Sequence, residues 1–248
     1  MTYCVAIISV DAGLVFCSDS RTNAGIDQVS TYSKMFRFGI DGERSFVLMS
    51  AGNLATTQGV IAKIKRDIRD NAETSLLTVR TMVDAADYIG ELSLAQQHKL
   101  KDGGAIFEAS FILGGQIHGD RHEIHLIYPA GNHITTSKDT PYLQIGESKY
   151  GKPILDRILT PTTSLETASL CALVSMDSTM RSNLTVGPPI EITVYEKDSL
   201  HLNRHQRFDS HNNYLKDLNR SWDKKLTEAF NQLPPLDWST ESAQSDAE

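Results

Sequence analysis

The 248-residue sequence predicts an α+β fold, a four-layer αββα sandwich of two antiparallel sheets stacked face to face under helices. Its elements come in the order strands, two helices, strands, two helices, strand. Two packed sheets, each with a helical layer, satisfy that order. The chain is long enough for one well-buried domain or two small ones. Its 40% hydrophobic content is ordinary for a soluble globular protein.

The stretch from Met1 to Lys34 organises the rest. Thr2-Tyr3-Cys4-Val5-Ala6-Ile7-Ile8-Ser9 is apolar and β-branched, Asp11-Ala12-Gly13 interrupts it, and Leu14-Val15-Phe16-Cys17 resumes it. Two such runs split by a glycine-containing break predict a β-hairpin. Ser18-Asp19-Ser20-Arg21-Thr22-Asn23-Ala24-Gly25 is polar, small and turn-forming.

Thr2 carries the chemistry. A small second residue permits removal of Met1, which would leave a hydroxyl and a free α-amine on one residue. The hydroxyl alone is a weak nucleophile. The amine, titrating near ~8, is a base available at neutral pH. Asp19 ends the strand that pairs with the Thr2 strand, so it lies near Thr2. A carboxylate there can hold Lys34 beside the new terminus. The Lys34 ammonium would disfavour protonation of the amine and stabilise charge on the threonine oxygen.

The elements follow in order. Met35–Phe38 and Ser45–Ser50 alternate as strands around an Asp41-Gly42 turn. Ala51-Gly52-Asn53 then leads into a helix, and backbone N–H groups at such a junction can stabilise an oxyanion. An ordinary strand-to-helix turn with glycine for its backbone freedom explains them equally. Val60, Ile61, Ile64 and Ile68 mark a helix ending near Asp70-Asn71. Val79, Met82, Val83, Ala86, Ile89 and Leu92 mark a second, starting at Leu77 or Thr78 and running toward Leu100. Asp102-Gly103-Gly104 breaks it. Strands follow at Ala109–Ile117, Glu123–Tyr128, Ile134–Thr136 and Tyr142–Gly146. Gly146-Glu147-Ser148 opens a third helix with Ile154, Leu155, Ile158 and Leu159 buried, and Ser148 suits its N-cap. Thr163 caps a fourth helix, which buries Ala168, Leu170, Cys171, Leu173, Val174 and Met176 and closes at Met176-Asp177-Ser178. Ile190–Tyr195 is the last strand. Tyr214, Leu215, Leu218, Trp222, Leu226 and Phe230 then give a C-terminal helix an aromatic stripe, which packs on its own domain or docks on a neighbour.

Composition excludes several classes. A net charge of −7 argues against non-specific nucleic-acid binding, which needs a basic surface. No stretch reaches transmembrane length and the start does not resemble a signal peptide, so the chain is expected in the cytoplasm, with no membrane partner. Cys4, Cys17 and Cys171 suit reduced core thiols over a disulfide. His118, His122 and His125 cluster without ligand partners at zinc spacing, so solvated histidines beside a turn are expected. The same holds for His201, His205 and His211.

As a set, Thr2, Asp19-Ser20-Arg21, Lys34 and Ser50-Ala51-Gly52 resemble the signature of proteasome-type β-subunits, which are N-terminal-nucleophile hydrolases. Met1-Thr2-Tyr3-Cys4-Val5, Ser18 to Gly25, and Gly146-Glu147-Ser148-Lys149-Tyr150-Gly151-Lys152-Pro153 are similar to the bacterial Anbu (ancestral β-subunit) branch. The resemblance spans Thr2 to Tyr195. It implies the same four-layer sandwich, with Thr2 at the sheet end in a cleft between the sheets. It implies amide hydrolysis of a peptide or unfolded protein, with no metal or organic cofactor. The Gly52 amide would hold the oxyanion, and Ser148 and Asp177 would orient the amine. Thr22, Ser50 and Leu54 would line the pocket for the residue before the scissile bond, with a small-to-medium apolar preference. The family's Ser-Gly after the second acidic residue is replaced here by Ser178-Thr179-Met180-Arg181-Ser182, where Ser182 could stand in for the second serine.

The resemblance also implies a homo-oligomer, ring or spiral. It names no unfoldase. The expected organisation is a hydrolase domain over 2–200, a helical extension over 201–234 and a disordered acidic tail over 235–248. Two other functions fit the same residues: an amidase on a small non-peptide amide, and a non-catalytic assembly subunit. A retained Met1 would acylate the Thr2 amine and remove the base.

Overall fold

The computed structural model describes residues 1–23, 29–99 and 107–236. The chain divides into two compact units, Met1–His211 and Asn212–Glu248.

The first unit holds two five-stranded antiparallel sheets. One runs β10-β1-β2-β11-β12, built from β1 (Tyr3–Ser9), β2 (Gly13–Asp19), β10 (Tyr142–Gly146), β11 (Ile190–Glu196) and β12 (Arg204–Phe208). The other runs β5-β6-β7-β8-β9, from β5 (Met35–Ile40), β6 (Arg44–Gly52), β7 (Ala109–Ile117), β8 (Glu123–Ile127) and β9 (His133–Thr135). A short ribbon of β3 (Arg21–Asn23) and β4 (Val29–Thr31) stands apart.

The strands lack clean polar alternation because both faces of each sheet are covered. Cys4, Ala6, Leu14 and Phe16 meet Met35, Val47, Met49 and Ile112 between the sheets. The alternate residues Tyr3, Val5, Ile7 and Val15 are equally buried. They face α4 (Leu165–Ser182), which packs on β1 and β2 and against α3 (Lys152–Ile158). Over the second sheet, α1 (Leu54–Arg69) and α2 (Met82–His98) pack on each other. Their Val60, Ile61, Ile64, Ala85, Ala86 and Ile89 meet Phe46, Leu48, Phe111 and Leu113. These four layers are the αββα sandwich predicted above.

Several boundaries differ from expectation. The second helix begins at Met82, capped by a reciprocal Thr81–Asp84 box. Ser75 and Thr78 close a separate turn ahead of it, which still buries Leu76 and Val79. Val83 is exposed, outside the buried stripe. The expected end at Leu100 and the Asp102-Gly103-Gly104 break lie outside the described residues. The third helix begins at Lys152, with Gly151 as N-cap and a proline in its first turn. Ser148 caps nothing there, because the ladder with β1 runs to Gly146 and the Glu147 amide still donates to the Thr2 carbonyl. Ile158 is exposed; Leu155 and Leu159 are buried.

The N-cap of α4 is Ser164, not Thr163, whose hydroxyl instead accepts from the Thr160 amide. That helix runs past Asp177 to Ser182 and leaves Leu170 exposed. The strand β12 was not anticipated, because Arg204-His205-Gln206-Arg207 is too polar to read as sheet. An edge strand pairing only with β11 tolerates that composition.

Register also answers the cysteine question. Cys4 pairs with Ser18, and Val5 with Cys17, so the two thiols point to opposite faces of the hairpin. All three cysteines are free and buried.

The histidines differ from expectation. His118, His201 and His211 are exposed, but His122 and His125 are buried. His122 Nε2 meets the Ser9 carbonyl at 2.8 Å, and His125 Nε2 meets Glu123 at 2.8 Å. His205 is partly covered, with Nδ1 2.9 Å from the Thr193 hydroxyl. Among the described residues no three or more His, Cys, Asp or Glu side chains gather as a metal site. No helix there is long and apolar enough to cross a membrane.

In the second unit, α5 (Asn213–Asn231) is capped by Asn212 and buries no residue. Phe208 ends β12 and is buried. Tyr214, Leu226 and Phe230 are exposed. The expected disordered tail lies, from residue 237 on, outside the described residues.

Candidate active site

The site forms where the first ends of both sheets meet. The Thr2 carbonyl accepts from the Glu147 amide at 2.6 Å, which pins Thr2 to the end of β10. Gly146 is required at that junction. Its φ is +84°, and a Cβ would fall 2.0 Å from the Thr2 carbonyl oxygen.

Asp19 is the last residue of β2 and fully buried. Its Oδ1 accepts from the Tyr3 amide at 3.0 Å and from Lys34 Nζ at 2.6 Å. Its Oδ2 accepts from the Gly187 amide at 3.3 Å. Lys34 enters β5 from the other sheet, 6% exposed, and Nζ also donates to the Arg21 carbonyl at 2.7 Å. Asp19 thus touches both the backbone of the Thr2 strand and the lysine, as the hairpin argument required.

Burial raises the Asp19 carboxyl above its ordinary range, even against the pull of Lys34 and the two amides. At the chain terminus the amine, here on Met1, is lowered from 8.0. Burial is the first cause and the Lys34 ammonium the second; Asp19 and Glu147 act in opposition. While Met1 precedes Thr2, the Thr2 nitrogen is an amide.

Thr2 and Lys34 open on one cavity of about 350 Å³, which Thr22, Ser50, Gly52 and Leu54 also line. The structure therefore brings together six of the nine residues singled out from sequence, with Asp19 directly beneath. Gly52 ends β6 at φ +112°, and a Cβ there would lie 2.4 Å from the Glu108 carbonyl oxygen. We expect Gly52→Ala to lower the unfolding free energy by about 3 kcal/mol, from backbone strain plus overlap. A denaturant midpoint equal to wild type would contradict this.

Ser148 and Asp177 do not line the cavity. Ser148 is exposed. From that segment the buried Glu147 is the group whose charge reaches the terminus, and its Oε2 accepts from Asn183 at 3.2 Å. Asp177 is buried inside α4, with Arg181 Nε 3.3 Å from Oδ2.

Sequence reasoning missed Glu147, Arg21, Tyr32 and Thr57, the last three lining the cavity. Thr22 Oγ1 is buried with no hydrogen-bond partner among the described residues, a polar atom left for a ligand to satisfy. A larger cavity of about 530 Å³, lined by Arg37, Arg44 and His201 among others, shares none of these residues.

An N-terminal threonine position over a buried lysine–aspartate pair, between two sheets of an αββα sandwich, defines a proteasome-related N-terminal-nucleophile hydrolase fold. Comparison with known proteins narrows the class. The structure of Anbu from Yersinia bercovieri is 44% identical with a TM-score of 0.91, over 95% of this chain and all of that one. The helical assembly of the Anbu complex from Pseudomonas aeruginosa is 46% identical with a TM-score of 0.91, over 96% of this chain and all of that one. An Anbu (Gly-1) mutant from Hyphomicrobium sp. strain MC1 is 43% identical with a TM-score of 0.90, over 96% and all. The chain belongs to the Anbu (ancestral β-subunit) family of proteasome-type β-subunits.

A curated proteasome subunit beta from Haloquadratum walsbyi is 28% identical over 163 residues, 65% of this chain and 61% of that protein. The match thus spans less than two thirds of that relative. No family model matches the chain.

Proposed function

We propose that the protein is a threonine-type peptidase whose nucleophile and base are both Thr2, after Met1 is removed. The observation that carries this is the buried Asp19–Lys34 pair, at 2.6 Å, whose lysine lines the same cavity as Thr2. Thr2 Oγ attacks the substrate carbonyl, and its proton passes to the Thr2 amine, directly or through one water. The Lys34 ammonium stabilises the developing oxygen charge, and Asp19 fixes Lys34. The Gly52 amide receives the oxyanion. The amine returns its proton to the leaving nitrogen, leaving an ester on Thr2. Water, deprotonated by the same amine, then attacks the ester carbonyl; the C–Oγ bond breaks, Thr2 Oγ takes the proton back, and the acid is released.

Thr22, Ser50 and Leu54 form the pocket for the residue before the scissile bond. Their size and mixed polarity favour a small-to-medium apolar side chain on a peptide or unfolded chain. The protein is a homo-oligomer acting in the cytoplasm; the Pseudomonas relative, described as a helical assembly, supports a spiral over a ring.

The reading is tested by intact mass before and after incubation with a peptide epoxyketone. Its ketone takes the threonine hydroxyl, and its epoxide the amine of the same residue. A chain lacking Met1 that gains one inhibitor mass is expected. A chain that keeps Met1 and gains nothing would favour the non-catalytic assembly subunit.

A pH dependence follows from the electrostatics. The groups that lower the amine from 8.0, burial and then Lys34, also surround Thr2. A lowered value enlarges the neutral, reactive fraction at any pH below it. The acid limb of the labelling rate should have its midpoint below 8.0, and Lys34→Met should move that midpoint upward. A midpoint that stays put in the variant would remove Lys34 from this role.

A further inference from the structure

We propose that Glu191 is a positioning residue that braces the Asp19–Lys34 pair through the hydroxyls of Ser20 and Ser33. The inference rests on the reading of Thr2 as nucleophile.

Glu191 is the charged residue in an otherwise uncharged run, Ile190-Glu191-Ile192-Thr193-Val194, and is only 4% exposed. Strand alternation puts it on the same face as Thr193, whose hydroxyl reaches Met35 of the opposite sheet, and Tyr195, which lies in the core between the sheets. A carboxylate buried there is costly unless donors satisfy it.

Its donors sit one beside each sheet, Ser20 just past the end of β2 and Ser33 just before the start of β5. Oε1 accepts from Ser20 Oγ at 3.0 Å, and Oε2 from Ser33 Oγ at 3.1 Å. Ser20 directly follows Asp19, and Ser33 directly precedes Lys34. The Ser33 hydroxyl also lies 3.0 Å from the Met35 carbonyl, so that carbonyl and Oε2 share its single proton. The rim groups are more remote: the His205 imidazole Nε2 is 3.9 Å away, and the half-exposed Arg207 guanidinium 4.0 Å.

The geometry has a specific consequence. Asp19 ends a strand of one sheet and Lys34 leads into a strand of the other, so their contact depends on how the sheet ends are spaced. A carboxylate with one oxygen on each flanking serine fixes that spacing by two charge-assisted hydrogen bonds. Displacing a catalytic group by about 1 Å can cost about 100-fold in rate.

The test is a cycle of Thr2 labelling rates by a peptide epoxyketone, measured by intact mass on the full chain. We expect Glu191→Ala to be slower by about 10- to 100-fold, and the Ser20→Ala/Ser33→Ala pair to be slowed similarly. The triple variant should be no slower than either, because all three changes break one brace. Glu191→Gln, which still bonds both hydroxyls, should stay within about fivefold of wild type. Wild-type rates in Glu191→Ala, or multiplicative losses in the triple variant, would overturn the brace. If Glu191→Ala does not fold, Glu191→Gln and the serine pair decide alone: equal losses in the two would also overturn it. An unlabelled wild type overturns the Thr2 reading itself, and the brace with it.

Discussion

Thr2→Ala will not be labelled by the epoxyketone and will hydrolyse no peptide that the wild type cleaves. The fall should be at least about 10⁴-fold, to the detection floor, because the variant keeps the amine and loses the oxygen that bonds to the substrate. Alanine is small enough for Met1 removal to proceed, so intact mass separates loss of the hydroxyl from loss of the free amine. Thr2 is only partly buried, so the variant should stay within about 1 kcal/mol of wild-type stability. Thr2→Ser supplies the contrast: it keeps the oxygen and should remain labelled. Turnover retained by the alanine variant would refute Thr2 as the nucleophile and favour a site elsewhere.

Lys34→Met should lose both rate and stability, the second in a pH-dependent way. The rate should drop by about 10²- to 10³-fold, the scale expected for removing one preorganised electrostatic group. Stability should fall by about 3 kcal/mol or more at neutral pH, since Asp19 is left as a buried carboxylate without its cation. Its two amide donors, Tyr3 and Gly187, remain.

The sign with pH follows from Asp19. Burial already raises its carboxyl above 3.8 in the folded protein, and Lys34 is the largest influence pulling it down. Without Lys34 it rises further. A folded value above the unfolded one means that the native state binds more protons between the two, so stability falls as pH rises through that window. The loss in the variant should therefore shrink on acidification, as Asp19 takes up a proton. Chemical denaturation of both proteins at several pH values measures this. A loss independent of pH would show that Asp19 is not the group left unpaired.

Much of this architecture is legible in the chain. The hairpin, the helix pair after Asn53 and the strands from Ala109 onward carry local periodicities that neighbours reinforce. Hairpin register alone brings Asp19 back beside Tyr3. Other features are not local. Ser148 looked like a cap because serine favours caps, yet the ladder with β1 runs to Gly146, Glu147 still donates to Thr2, and α3 starts only at Lys152. Asp177 looked like a helix end because polar residues follow it. Thr179 and its neighbours continue the turn instead, with the Thr179 hydroxyl donating to the Ser175 carbonyl.

The chain by itself determined the pairing of the Thr2 end of the chain with Asp19, because both lie on one hairpin whose register is set by apolar residues close in sequence. Tertiary structure alone decided what surrounds that pair. Gly52 comes from the second sheet and Glu191 from a strand late in the chain, and both faces of each sheet are covered. A polar residue in such a strand carries no sequence mark saying whether it points at water or between the sheets. For Glu191, only the stacking of one sheet on the other settled it.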